Sequence, residues 1–290
     1  MLIFVFDVVS LLTFKTERLT NPNPKYENNM SLLIAKNKVS AEQLLTVATP
    51  EKTESFQPIG HAYLVDQMRE AIARAGYTVK EEEHALARMG QRYFGGFSIV
   101  GPDINANDRE LVLGLRNAND RSFAASVCIG NRMIVCENLC FSSDIKLARK
   151  HTTNIMRDIP EVLSKAVGLL VSHFTDMESR IERYKVIELN NEQAADLTVR
   201  LADAKAIPSR EVYPVIQQFR TPNHPEFNGR TVWSLYNGLT EQLKGGDLSK
   251  LPYRTRTAQS ILDGYVGFVS KLSGQVENND EVPSEIALEA

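Results

Sequence analysis

Residues 110–141, ELVLGLRNANDRSFAASVCIGNRMIVCENLCF, decide the fold. Apolar residues crowd two runs, Glu110–Arg116 and Ser122–Ile129, parted by Asn117-Ala118-Asn119-Asp120. Asn and Asp suit such a reversal because their side chains bond local backbone and tolerate positive φ, so the pattern predicts a hairpin. Gly130-Asn131 is a two-residue turn signal and predicts a second reversal, with Met133–Phe141 running back. Upstream, Tyr77–Met89 and Arg92–Val100 read as another antiparallel pair turning at Gly90-Gln91. Before them, Leu64, Met68, Ile72 and Ala75 repeat at helical spacing over 61–75, and Gly76 supplies the stop.

Beyond the strands the periodicity becomes helical. Asp158-Ile159-Pro160-Glu161 has the form of a helix start, with Asp as N-cap, Glu reaching back and Pro in the first turn. Val162, Ala166, Leu169, Phe174, Met177, Ile181 and Tyr184 then predict one long helix. Further helices are expected near 192–205, 209–219, 230–244 and 256–272, the last two closed by Gly245-Gly246 and Ser273-Gly274. The fold class is therefore α+β: an antiparallel β-sheet in the first half flanked by helices, followed by a helical C-terminal half. One domain is expected over 58–272, strand-rich at 77–141 and helical at 145–272, after a poorly ordered leader at 1–57 that holds a short helix near Ala41–Ala48.

The bulk composition excludes several function classes. A net charge of −3 in 290 residues gives no global basic field for nucleic acid or anionic membrane, so any such contact must be local. The acids Glu277, Asp280, Glu281, Glu285 and Glu289 give residues 272–290 a charge of −5, whereas residues 1–29 sum to zero; the body between them is +2. Residues 273–290 read as an acidic, disordered tail. The opening MLIFVFDVVSLLTF is too short to span a bilayer and contains Asp7, so no membrane partner is expected, and Met30 reads as the true start. Three cysteines, Cys128, Cys136 and Cys140, suggest reduced thiols and a cytoplasmic location. Their spacing is not that of a zinc knuckle, and no metal is expected. Walker, Rossmann and zincin motifs are absent, which leaves no cofactor to predict.

Three polar groups stand out. Arg116 closes an apolar strand beside Asn117 and Asp120, and Glu137-Asn138 interrupts the apolar run Met133–Phe141; charge there needs a partner or a function. Lys146, Arg149, Lys150, His151, Thr152, Thr153 and Asn154 form a basic, hydroxyl-bearing stretch suited to phosphate. On the predicted helix at 230–244, Trp233, Asn237, Thr240, Glu241 and Lys244 form a stripe beside the apolar seam, an aromatic among hydrogen-bonding groups that could stack and read a planar ligand.

The segments LGLRNANDRSFAASVCIGNRMIVCENLCF at 113–141, KHTTNI at 150–155 and RTVWSLYNGLTEQLKG at 230–245 together resemble the domain-of-unknown-function family numbered 932. The likeness extends upstream through GHAYLVDQMREAIARAGYTV, covering about residues 58–265. The sequence departs from the family pattern at Ala118 and Asn119, where Ser and His are frequent, and at Cys140, where Ala is. The resemblance implies a phage or mobile-element protein in a bacterial cytoplasm and names no substrate. The element order is also loosely similar to the core of phage single-strand-annealing recombinases. With the basic stretch, Trp233 and the acidic tail, this makes non-catalytic single-stranded nucleic-acid binding or annealing the leading expectation. A protein–protein module that counters a host defence is the alternative, with a host or phage protein as partner, and self-association into a homo-oligomer stays open. A third reading is an enzyme using Asp120, Glu137, His151 and Glu241 as acids and bases.

Overall fold

The apolar run that opens the central segment forms β4 (Arg109–Ala118), one strand of a six-stranded antiparallel meander. The others are β1 (Lys38–Val39), β2 (Thr78–Ala87), β3 (Arg92–Val100), β5 (Ala125–Met133) and β6 (Leu139–Arg149), in sequence order across the sheet. The structure, a computed structural model, describes Leu33 and residues 37–104, 109–133 and 139–279, without the side chains of 139–146 and 274–279.

The pleat sends alternate residues to opposite faces. Tyr93, Phe97, Ile99, Leu111, Leu113, Leu115, Val127 and Ile129 all face one side and are buried there against α2 (His61–Arg74) and α3 (Ile155–Gly168). Each such side chain contributes roughly 1.5–3 kcal/mol by leaving water. The opposite side is mixed. Glu110 accepts from Ser98 Oγ at 3.1 Å, from Arg132 Nε at 3.1 Å and from Lys80, while Arg132 also reaches Glu81 at 2.7 Å. Glu110 and Arg132 are 8% and 2% exposed, and this shared bonding is what makes their burial tolerable.

Gly130-Asn131 is not a turn. Gly130 pairs with Phe141 and Asn131 with Cys140, beside a shift in register after Cys128, so β5 carries straight on to Met133. The tertiary pairing overrides the local turn signal. The reversal itself falls in residues 134–138, outside the described residues, and Cys136, Glu137 and Asn138 lie there too. β6 is longer than expected: Val127 pairs with Leu147 and Ala125 with Arg149, so Lys146–Arg149 is strand and the helical half begins only at Ile155. Leu147 explains the extension, since it packs on the first core.

Helix α3 starts after Asn154, a turn ahead of the predicted start, and takes Pro160 into its interior. Asp158 does not cap; its carboxylate binds Arg149 at 2.5 Å and Arg157 at 2.9 Å. The predicted long helix breaks at Leu169 (φ −93°, ψ 0°) into α3 and α4 (Leu170–Val186). Then follow α5 (Asn191–Asp203), α6 (Val212–Arg220) behind a 3-10 turn at Ser209–Glu211, α7 (Val232–Leu243) and α8 (Leu251–Asn279). Asn190 and Thr231 close capping boxes with Gln193 and Ser234, which fixes the starts of α5 and α7. Helix α8 passes through Ser273-Gly274 to Asn279; residues 280–290 and residues 1–32 lie outside the described residues. Tyr184, Leu201, Val215, Phe219, Leu235, Leu239 and Leu262 make a second, all-helical core, which reaches the sheet at Met133. At the other end, residues 37–57 carry β1 and α1 (Ala41–Leu45) and bury Leu44 and Phe56, so the packed chain begins ahead of residue 58. Among the described residues no helix is long and apolar enough to cross a membrane.

Candidate functional site

A meander with this register places three segments at one end of the sheet: the turn 88–91, the turn 119–124 and the exit of β6 at 149–154. Arg92 pairs with Ala118, Arg116 with Ser126, and Ala125 with Arg149. Arg88, Arg92, Arg116, Arg121, Arg149 and Lys150 therefore gather there, whereas the same strand ends and turns carry one carboxylate, Asp120. Arg92 is held by Asp120 at 2.6 Å and Arg149 by Asp158. Burial pushes Asp120 up, but bonds from Ser122 and Arg92 outweigh it and hold the carboxyl below its ordinary range. Among the described residues no carboxylate pairs with Arg88, Arg116, Arg121 or Lys150.

Adjacent residues of β4 serve the two faces of this end differently. Asn117, fully buried, faces the helices. Its Nδ2 donates to Ile59 O at 2.9 Å and to His61 Nδ1 at 3.0 Å, and its Oδ1 accepts from His151 Nε2 at 2.7 Å. His61 Nε2 donates in turn to Gly90 O at 2.8 Å. One amide thus ties the start of α2, the 88–91 turn and the 150–154 segment to the sheet. Asn119 adds its Nδ2 on Ile59 O at 3.1 Å and its N–H on Gln91 O at 2.8 Å. Both imidazoles are kept neutral: burial pushes His61 below its ordinary value and His151 down to about 4, the nearby His61 adding to the second. The buried Tyr93 ring stacks on His61 at 5.5 Å and its hydroxyl meets His84 Nδ1 at 2.9 Å. Gly95 makes this possible, because a Cβ there would lie 2.0 Å from the Tyr93 hydroxyl oxygen.

Arg116 faces the other way. Its Nε donates to Ser126 Oγ at 2.7 Å, Nη1 reaches Ser249 O at 3.4 Å, and the guanidinium lies 4.7 Å over the Phe123 ring. Burial pulls its pKa down, opposed only by Cys128. Arg92 also sits over Phe123, at 5.8 Å, and Phe94 lies 5.7 Å from it. On the loop, Arg121 (φ 64°) spreads over Phe56 at 4.6 Å and bonds Thr53 Oγ1 at 3.2 Å. Lys150 is exposed, and Thr152 is in a turn whose N–H bonds Lys150 O at 2.8 Å.

Of the residues singled out in the sequence, Arg116, Asn117, Asp120, Arg149, Lys150, His151 and Thr152 converge on this end. His151 is an interior strut and not a surface base. The α7 stripe does not join them. Trp233 is 7% exposed and stacks on Tyr236 at 6.0 Å; Asn237 Nδ2 donates to Trp233 O at 2.9 Å and Thr240 Oγ1 to Asn237 O at 3.1 Å. Glu241 pairs with Lys244 at 2.6 Å. Helices α4, α6 and α8 all pack on α7, and Trp233, Asn237 and Thr240 are buried along with the apolar seam, so Trp233 is a core residue; Gly238 lets α6 approach, with Val215 O 3.4 Å from its missing Cβ. Of the acids and bases singled out, Asp120 and His151 lie at this end but bond separate partners, Glu241 pairs with Lys244 on α7, and Glu137 lies outside the described residues. Among the described residues no three His, Cys, Asp or Glu are placed to hold a metal. His61, His84, Tyr93 and Asn119 were not foreseen, since each reads locally as a helix, strand or turn residue.

No curated protein and no solved structure matches the chain. The model of one family, the domain of unknown function DUF932, matches residues 52–265, from the loop bearing Phe56 to the middle of α8. The chain belongs to the DUF932 family.

Proposed function

We propose that the protein binds single-stranded nucleic acid, without catalysis, at the cationic end of its sheet. The observation that carries this reading is the convergence of Arg88, Arg116, Arg121 and Lys150, none with a carboxylate partner among the described residues, in a chain whose net charge is −3. Scattered cations on an acidic protein are neutralised by neighbours; four left unpaired at one edge give the local field that phosphates need. Arginine supplies the fork that matches a phosphate. A single strand is favoured over a duplex because three guanidinium groups lie over aromatic rings, Arg92 and Arg116 on Phe123 and Arg121 on Phe56. Stacked guanidinium planes accept splayed bases, which a duplex keeps inside. The mobile-element and cytoplasmic setting implied by the family resemblance belongs to this reading.

Fluorescence anisotropy with a labelled oligothymidylate tests it. Four contacts to a single strand predict a log–log salt slope of about −3, and the triple substitution Arg88→Gln, Arg121→Gln, Lys150→Gln should bring it to about −1. No binding to the wild-type protein at about 50 mM salt would remove the proposal.

A further inference from the structure

Three arginines with well-buried side chains set the comparison for Arg116. The Arg132 side chain, 3% exposed, has Glu110 and Glu81; that of Arg109, 5% exposed, has Glu178; that of Arg180, 14% exposed, has Asp263. Arg116 is half-buried and has a hydroxyl, a carbonyl oxygen and a ring, but no carboxylate among the described residues. A guanidinium withdrawn from water without a counter-charge is costly, and such sites are commonly completed by an anion. The neighbouring carboxylate of Asp247 does not serve: it accepts from Ser249 N at 2.9 Å and Ser249 Oγ at 2.6 Å and faces Lys250 at 3.8 Å.

Space for an anion exists. Arg116 borders a recess of about 30 Å³, walled by Phe94, Gly114, Cys128, Leu248 and Pro252. That is room for one or two water-sized atoms, enough for oxygens of a tetrahedral anion and far too little for a base. The apolar walls lower the local dielectric and so strengthen attraction to a fixed cation. Ser126 Oγ accepts from Arg116 Nε, which leaves its own hydrogen to donate.

We propose that Arg116 and Ser126, on the face of β4 and β5 opposite the Asn117 network, form a binding subsite for a phosphate group. The phosphate sits over the recess, bound by the outer edge of the guanidinium and by the Ser126 hydroxyl. In a bound strand this is a backbone phosphate, an extension that rests on the function proposed above; the phosphate chemistry itself does not.

Two measurements separate these levels. First, the Nε–H signal of Arg116 in the wild-type protein, assigned by its loss in Arg116→Gln or, if that variant misfolds, in Arg116→Lys, is followed as inorganic phosphate replaces chloride at constant ionic strength. A saturating shift confined to Arg116 is expected, with Arg109 and Arg132 unmoved. Second, oligothymidylate binding by Arg116→Gln should weaken about tenfold, with the salt slope reduced by about one. If phosphate moves Arg116 but the wild-type protein binds no oligonucleotide, the subsite stands for small phosphate compounds and the strand-binding reading falls. If phosphate leaves the Arg116 signal where chloride put it, the subsite is overturned whatever becomes of strand binding; if the oligonucleotide binds with an unchanged slope in Arg116→Gln, the extension to a backbone phosphate is overturned.

Discussion

Mild acid should loosen this protein before its carboxylates titrate. His151 is 7% exposed, donates to Asn117 Oδ1 at 2.7 Å and has its pKa pushed down to about 4, against about 6.5 for an unhindered imidazole. The unfolded chain therefore takes up a proton below pH 6.5 that the folded chain refuses until pH 4. The contribution of neutral His151 is present in full above pH 6.5 and is lost as pH falls, at about 1.4 kcal/mol per pH unit, reaching about 3 kcal/mol near pH 4. Between pH 6.5 and 5 the loss from this residue alone is about 2 kcal/mol. His61 and His84, lowered mainly by burial, push in the same direction. Glu82, Glu110, Asp120 and Asp158 are all held below their ordinary values, so their contribution is lost only as pH falls below about 4.5, outside this window. Urea midpoints at half-unit steps from pH 7 to 5 give the slope. In His151→Gln, where the amide can still donate to Asn117, the slope should flatten by about 1.4 kcal/mol per unit. A wild-type midpoint independent of pH over this range, or an identical slope in His151→Gln, would refute the assignment of a neutral, buried His151.

Three further substitutions test the scaffold. Gly95→Ala places a methyl 2.0 Å from the Tyr93 hydroxyl oxygen and must swing the ring off His84; a loss of about 2–4 kcal/mol in denaturant unfolding is expected, and less than about 1 kcal/mol would mean the ring has somewhere else to go. Asn117→Ala leaves Ile59 O with Asn119 alone, takes the partners of His61 Nδ1 and His151 Nε2 away at once, and should cost about 3 kcal/mol; because the network sets the direction of Arg116, its phosphate response should weaken as well. Glu110→Ala leaves the buried Arg132 with Glu81 alone among the described carboxylates and should cost about 3 kcal/mol, most of it recovered in the double variant Glu110→Ala, Arg132→Met; additive losses in that cycle would show that the pair is not coupled.

How much of this was legible depended on whether the deciding partner was near in sequence. The antiparallel strands and the helical second half follow from period and turn chemistry, and they were readable; the break at Leu169 and the passage of α8 through Ser273-Gly274 were not. The reversal after β5 was not, because Gly130-Asn131 has the local form of a hairpin loop while its neighbour Phe141 holds it in the sheet. The Trp233–Asn237–Glu241 stripe was correctly placed on a helix, but its exposure depends on the helices packed on α7, which are α4, α6 and α8, and no pattern within α7 records them. His61 lies 56 residues from Asn117, and His84 gains its meaning only from a Tyr93 ring that exists in that position because of Gly95.

The pair Arg116-Asn117 shows where sequence reading and structure part. Both were conspicuous as polar residues at the end of an apolar strand, and the turn explanation covered Asn117 while leaving Arg116 unexplained. The pleat reverses this division: Asn117 is inside the fold and spends every hydrogen-bonding group of its amide on segments distant in sequence, whereas Arg116 is the residue left with capacity. A strand residue that fastens three segments and its neighbour that faces a recess without a counter-ion are mechanically linked, since β4 cannot shift by one position without exchanging their faces. The Asn117 network therefore sets not only the stability of this end of the sheet but the direction in which Arg116 points, and disruption of the network by acid should reduce phosphate binding at Arg116 at the pH where His151 begins to charge.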